Sequence, residues 1–135
     1  MTCDEIDAFL REPRIADLAT IRPDGSPHVA PVWYRYDGGK VMVIASRTAV
    51  KIRNIRNDPR VALSIATDAE PYEYVLVTGT ASVSDDAAPD LLRTMADHYK
   101  GVTEGRRYAD QVLKDADFTT ITVTPSRISG WRDAD

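Results

Sequence analysis

Turn signals constrain this chain most, because they divide it into short apolar segments. Two segments combine residues that fix or permit the backbone angles of tight turns, and they are Arg22-Pro23-Asp24-Gly25-Ser26 and Asp37-Gly38-Gly39. Short apolar segments joined by tight turns are typical of antiparallel strands, whereas parallel strands need longer crossover connections. The chain also lacks a Gly-x-Gly-x-x-Gly motif and repeated strand–helix alternation. The turns therefore favour a mainly β fold over a nucleotide-binding α/β fold.

Apolar patterning predicts six strands and a small number of peripheral helices. We expect the strands at Ile15–Ile21, Pro27–Tyr36, Val41–Ala45, Val61–Ala66, Tyr74–Ser84 and Phe118–Thr124, the last with an extension over Ile128–Trp131. We expect helices at about 2–13, 47–57, 90–99 and 105–114, and Thr2 and Glu5 have the spacing of a capping box. Gly79, inside the longest strand, indicates a bulge or a close backbone approach. This pattern predicts a small antiparallel barrel with peripheral helices.

Composition excludes several classes of function. The chain has 135 residues, a mass of 15.0 kDa and a net charge of −4, which predicts one domain over 1–135 and argues against nucleic-acid binding. One cysteine, Cys3, and two histidines exclude an intrachain disulfide and a cysteine-rich zinc site, and we predict no metal. No apolar run reaches about 18 residues and the acidic start does not resemble a signal peptide. We therefore expect a cytoplasmic protein without a membrane span.

One basic segment stands out in this acidic chain. The range from Arg47 to Arg60 holds five cations and one Asp. On a helical wheel one face is apolar and should pack on the barrel, and it comprises Ala49, Ile52 and Ile55. The opposite face carries Arg47, Lys51 and Asn54, and Ser46 stands where an N-cap is expected. A capped helix start beside two cations is suited to an anion such as phosphate, although a solvated basic face would show the same pattern.

Two ordered motifs make the chain recognisable. They are Ala19-Thr20-Ile21-Arg22-Pro23-Asp24-Gly25-Ser26-Pro27-His28-Val29-Ala30-Pro31-Val32-Trp33-Tyr34 and, later, Lys51-x-x-Asn54-Ile55-x-x-Asp58-Pro59-Arg60-Val61. The chain resembles the pyridoxamine 5′-phosphate oxidase-like split-barrel superfamily and, within it, the deazaflavin-dependent oxidoreductases that use coenzyme F-420. The resemblance extends from the first helix to Trp131. It implies a six- to seven-stranded antiparallel split β-barrel and a homodimer with two cofactors between the subunits.

The resemblance also implies a set of cofactor-binding residues. The family's phosphate-binding stretch corresponds to Ser46, Arg47 and Lys51, with Asn54 one turn later. The strand whose backbone lines the flavin-type ring corresponds to Val29, Ala30, Pro31 and Val32. Backbone near Gly79 would close the site from the partner subunit. No catalytic side chain is assigned, because the cofactor itself carries out hydride transfer.

The residue at position 30 bears on the identity of the cofactor. FMN-dependent members of the family carry an Arg at the position of Ala30, and its loss removes a bidentate phosphate partner. We therefore expect F-420 rather than FMN, and transfer of a hydride to a small electron-poor acceptor. Three alternatives remain: an FMN-dependent oxidoreductase, a non-catalytic flavin or deazaflavin carrier, and haem handling, for which His28 and His98 are the only histidine ligands.

Overall fold

Seven strands and four helices make up the part of the chain that the structure, a computed structural model, describes: residues 1–85, 88–115 and 117–133. In chain order they are α1 (Cys3–Arg11), β1 (Ala16–Ile21), β2 (Pro27–Val32), β3 (Arg35–Asp37), β4 (Lys40–Ser46), α2 (Val50–Asn57), β5 (Arg60–Ala66), β6 (Glu73–Ser84), α3 (Ala88–Lys100), α4 (Val102–Asp115) and β7 (Phe118–Arg132). Among these described residues, no helix is both long and apolar enough to span a membrane. The mainly β fold class that the turns predict is confirmed.

The strands form one sheet, and its two edge strands, β2 and β3, are consecutive in the chain. Their order is β2-β1-β5-β6-β7-β4-β3, and every neighbouring pair is antiparallel. Only Trp33 and Tyr34 join the edge strands β2 and β3. Three Cα–Cα steps separate Val32 from Arg35 and span at most about 11 Å, so the sheet has to curl until its edges meet at this corner. The result is the open, split barrel that the resemblance implies.

The corner at Trp33 and Tyr34 corrects one expectation. The apolar run predicts a single strand over Pro27–Tyr36, but the structure ends β2 at Val32 and starts β3 at Arg35. The main-chain N–H of Tyr34 donates to the hydroxyl of Tyr99 at 3.1 Å, and that hydroxyl donates to the carbonyl of Arg14 at 2.7 Å. A side chain from α3 therefore fixes the break, and no local pattern could reveal it.

The barrel is filled by alternate side chains from its strands and capped by α2. Side chains without solvent exposure include Val43, Ile65, Val75, Val77 and Ile121. Ile52 and Ile55 of α2 join this core, which confirms the predicted packing face of that helix. Each fully buried aliphatic side chain of this kind contributes about 1.5–3 kcal/mol to folding. At the other end, α1 has the predicted capping box between Thr2 and Glu5.

Helices α3 and α4 form a tightly packed hairpin. Gly105 lies so near α3 that a Cβ there would approach the carbonyl oxygen of Ala96 to 2.5 Å, and Ala96 and Ala109 are both fully buried. Both helices are longer than predicted, since they begin at Ala88 and Val102. The ring of Tyr99 stacks on Trp33 with 4.9 Å between centroids, so the hairpin is held against the corner between the two edge strands.

Candidate functional site

The basic segment begins with a turn, which corrects the predicted position of the helix start. Helix α2 begins at Val50 with Ala49 as N-cap, and no side chain caps it, so the expectation that Ser46 is the N-cap is wrong. Ser46 is instead the last residue of β4, and its hydroxyl lies 3.3 Å from that of Thr48. The main-chain N–H of Ala49 donates to the Ser46 carbonyl at 2.9 Å. Because of this loop, α2 begins about one helical turn later in the sequence than predicted.

Asn54 also lies elsewhere than the wheel predicts. Its side chain is 1% exposed, and its Nδ2 donates to the hydroxyl of Thr20 at 3.0 Å. Thr20 is on β1 and is itself buried. The placement of Asn54 on an outward basic face is therefore wrong. Because its amide joins α2 to the barrel, this position favours a structural role over contact with an anion.

Arg47 is held by two carboxylates. Its Nη1 lies 2.5 Å from a carboxylate oxygen of Asp85 and its Nε 2.8 Å from one of Asp117. The two ion pairs raise the pKa of Arg47 and lower the pKa of Asp85 and of Asp117. Arg47 thereby links the end of β4 to the residues that follow β6 and precede β7. It lines an open basic groove with Arg53 and Arg56, away from Lys51.

Lys51 has a different environment from the other cations of the segment. It is half-buried, and burial lowers the pKa of its ammonium group. Among the residues that the structure describes, no carboxylate lies within ion-pair distance of it. Lys51 lines a cavity of about 270 Å³ together with Pro31, Val32 and Trp33. The structure thus brings Lys51 to Pro31 and Val32, two of the predicted ring-lining residues, whereas Arg47 lines the other groove and Asn54 is bonded to Thr20.

The rest of this cavity is apolar and aromatic. Its remaining lining residues come from β4, α3, α4 and β7 and are Ile44, Leu92, Met95, Tyr108, Val112 and Phe118. The rings of Trp33 and Tyr108 are tilted against each other with 5.3 Å between centroids. A cavity in which one ammonium group lies among apolar and aromatic side chains, and which also exposes polar atoms, can bind a flat molecule that carries an anionic group. We call it the Lys51 cavity.

The outer edge of β2 presents main-chain groups beside this cavity. The N–H of Arg22 donates to the carbonyl of Ser26 at 2.8 Å, and hydrogen-bonded pairs alternate along an antiparallel ladder. Arg22 and Ser26 form a hydrogen-bonded pair, so Pro27, Val29 and Pro31 belong to the non-hydrogen-bonded pairs of the ladder. The main-chain groups of Val29 and the carbonyls of Pro27 and Pro31 therefore face away from β1. Val29 is exposed, and the side chain of Ala30 between the two predicted contacts is half-buried. The edge can therefore bind a planar heterocycle through backbone hydrogen bonds.

Gly79 lies at a bulge where β7 crosses β6 closely. The register of the two strands shifts between Thr78 and Gly79. A Cβ at position 79 would overlap the carbonyl oxygen of Thr124 and approach Cα of Pro125 to 2.9 Å. The close approach that the sequence indicates is confirmed, and β7 accounts for the glycine within one protomer. A cofactor contact from a partner subunit stays a prediction.

The sequence did not identify the α3–α4 side of the cavity. None of the predicted cofactor-binding residues lies on α3 or α4, although Leu92 and Met95 of α3 line the cavity together with Trp33. Tyr108 lies on α4 and was not among the predicted site residues. Only the docking of the hairpin onto the corner of the barrel brings these residues to Lys51.

Comparison with known proteins identifies similar folds and sequences. The chain is 30% identical over 83 residues to the F420H(2)-dependent biliverdin reductase of Mycobacterium tuberculosis, a match that covers 62% of this chain and 60% of that protein, less than two thirds of its length. A solved F420 reductase is 31% identical, with a TM-score of 0.77 over 91% of this chain and 94% of the other. A conserved hypothetical protein from M. tuberculosis is 26% identical, with a TM-score of 0.79 over 98% and 86%. The family model for pyridoxamine 5′-phosphate oxidase matches residues 3–132, and the chain therefore belongs to that family.

Proposed function

We propose that this protein is a coenzyme F-420-dependent oxidoreductase that reduces a small electron-poor acceptor. One observation carries the proposal: Lys51 is partly buried beside β2 without a carboxylate partner among the described residues. Two similar proteins bear F420 in their names, and both are about 30% identical to this chain. Together these facts support a deazaflavin whose phosphate group lies at Lys51.

The electrostatics of Lys51 favour an anionic ligand. Removing an ammonium group from water is unfavourable unless an opposite charge or hydrogen bonds compensate. Burial lowers the pKa of Lys51 because it disfavours the charged ammonium form. A phosphate oxygen at Nζ would compensate it through a charge-assisted hydrogen bond. Arg47 differs, because Asp85 and Asp117 already neutralise it.

The chain's own residues bind, orient and shield the cofactor in this proposal. Reduced F-420, when bound, supplies the hydride. Lys51 binds its phosphate, and the main-chain groups of Val29 and Pro31 at the edge of β2 hold its ring system. Trp33 and the apolar side chains of the Lys51 cavity would shield part of the bound cofactor from water.

The side chain at position 30 supports F-420 over FMN. Ala30 offers no guanidinium for a second phosphate contact, and its side chain is half-buried on β2. Lys51, the one cation among the described residues that line this cavity, is then the main phosphate ligand. We infer that FMN binds more weakly than F-420 and that the protein purifies without stoichiometric yellow flavin.

The experiment is a titration of purified protein with F-420 and, in parallel, with FMN, by calorimetry. Lys51→Ala should weaken F-420 binding about 10- to 150-fold, because a charge-assisted contact contributes roughly 1.5–3 kcal/mol. Its melting temperature should match that of the wild type, since Lys51 is not part of the core. Lys40→Ala is the matched control, because Lys40 is exposed at the start of β4 and does not line the Lys51 cavity. Unchanged F-420 affinity in Lys51→Ala, or tighter binding of FMN by the wild type, contradicts the proposal.

A further inference from the structure

We propose that a second cavity, between α1, β3 and α3, binds a small organic carboxylate with an apolar body. This cavity has a volume of about 240 Å³, and Arg11 and Arg35 are among its lining residues. We call it the Arg11 cavity. Met95 is the one described residue that lines both this cavity and the Lys51 cavity, so the two sites offer a ligand different groups. The inference is therefore independent of the proposed function.

The floor of the Arg11 cavity is apolar and preformed. It consists of Leu10, Tyr34 and Met95, each of which is at most 2% exposed. Tyr34 is held in place, because its hydroxyl donates to the carbonyl of Glu12 at 3.3 Å and its main-chain N–H donates to the hydroxyl of Tyr99. A fixed apolar surface binds an apolar group with little loss of side-chain entropy. The floor therefore favours a ligand with an apolar part, and the volume limits that part to about one ring.

Two guanidinium groups give the Arg11 cavity an excess of positive charge. Arg35 pairs with Asp37 of the same strand at 3.9 Å, whereas no carboxylate of the described residues lies within ion-pair distance of Arg11. Asp37 is the one acidic residue in the described lining, so the arginines exceed the carboxylates by one charge. A monoanion balances this excess. A guanidinium binds a carboxylate through two parallel hydrogen bonds, which makes a carboxylate the expected anion.

The ring of Tyr36 positions Arg11 at the cavity. The guanidinium carbon of Arg11 lies 5.7 Å from the centroid of this ring. The Tyr36 hydroxyl donates to a carboxylate oxygen of Asp7 at 2.9 Å, which fixes the ring, and Asp7 itself does not line the cavity. A guanidinium over an aromatic face still has N–H groups along its edge that can donate to a ligand. We therefore expect Arg11 to contact the carboxylate directly.

The test is a calorimetric titration of the purified protein, without added cofactor, with phenylacetate, phenylacetamide, acetate and inorganic phosphate. Phenylacetamide has the ring without the charge, whereas acetate and phosphate have charge without the ring. A ligand of the size of phenylacetate can reach a dissociation constant of about 1 mM. We expect phenylacetate to bind at least about tenfold more tightly than each of the other probes, because it alone uses both the apolar floor and the guanidinium groups.

Variants locate the bound phenylacetate. Arg11→Gln and, independently, Arg35→Gln should each weaken its binding at least about fivefold, because each removes one charge-assisted contact. Both arginines are exposed, so the melting temperature should stay close to that of the wild type. Arg106→Gln is the matched control, since Arg106 is exposed on α4 and lies outside the cavity. Lys51→Ala should bind phenylacetate as the wild type does, because Lys51 lines the other cavity.

Three results would overturn the inference. The first is an absence of phenylacetate binding at about ten times the expected dissociation constant. The second is binding of phenylacetamide or phosphate as tight as that of phenylacetate. The third is a greater loss of affinity in Lys51→Ala than in Arg11→Gln, which would assign the probe to the Lys51 cavity. Failure to bind F-420 would refute the proposed function alone, because no step of this titration uses the cofactor.

Discussion

Asn54 stabilises the fold, although its spacing in the basic segment predicted contact with an anion. Its amide and the Thr20 hydroxyl are both buried and bond to each other. Asn54→Ala leaves that hydroxyl without its partner, so we expect a loss of about 1–3 kcal/mol in the free energy of unfolding by urea. Asn57→Ala, on the exposed end of the same helix, should change little. Unchanged stability together with a loss of F-420 affinity would instead assign Asn54 to the cofactor.

The lowered pKa of Lys51 leads to a prediction of how cofactor binding depends on pH. Burial lowers its pKa, so in the free protein the ammonium group loses its proton at a lower pH than an ordinary lysine. Only the protonated form attracts phosphate, and affinity should therefore fall as pH rises from 7 toward 10. Lys51→Gln should bind weakly and with a flat profile over this range. A wild-type profile as flat as that of the variant would contradict the role of Lys51.

The β6–β7 pair has no room for a side chain at Gly79. In Gly79→Ala the new methyl group meets the backbone at Thr124 and Pro125, which cannot rotate away as a side chain would. We expect a loss of about 1–3 kcal/mol in stability, measured by urea unfolding. Thr80→Ala, at the next and exposed position of β6, should have a smaller effect. If Gly79→Ala were as stable as the wild type, the backbone of β7 would be able to shift at this crossing, and the prediction would be wrong.

Elements were predictable from the sequence where local chemistry determines them. The Pro-Asp-Gly and Asp-Gly-Gly turns and the capping box at Thr2 and Glu5 gave correct elements, because their causes lie within a few residues. The break at Trp33 and Tyr34 was missed, since Tyr99 produces it from a distant helix. Within the candidate site, the predicted residues Lys51, Pro31 and Val32 line one cavity, but the α3–α4 wall of that cavity depends on how the hairpin docks. Long-range packing therefore accounts for most of what the sequence did not reveal.

At the scale of the whole molecule, exposed apolar side chains lead us to propose a homodimer. Leu76 and Trp131 are each 41% exposed and Val29 60%, and Trp131 stacks on Tyr74 with 5.3 Å between ring centroids. An obligate interface of this kind would bury about 2,000 Å² or more. Light scattering at micromolar concentration should report twice the chain mass of 15.0 kDa.

Variants test which surface forms that dimer. Trp131→Glu should shift the protein toward the monomer, because it places a charge in the buried contact. Val102→Glu is the control, since Val102 is exposed on α4. If the cofactor sites are shared between subunits, F-420 affinity should fall together with the dimer fraction. A wild-type mass of one chain would refute the homodimer.

The position of β7 in the sheet has a consequence for synthesis on the ribosome. This last strand lies between β6 and β4, so the sheet consists of two separate parts, β2-β1-β5-β6 and β4-β3, until residues 118–132 leave the exit tunnel. Both parts expose strand edges in the meantime, and such edges are prone to pair with other chains. Barrel closure therefore cannot occur before β7 leaves the tunnel, and a nascent chain that stalls before this point exposes the unpaired edges of β6 and β4.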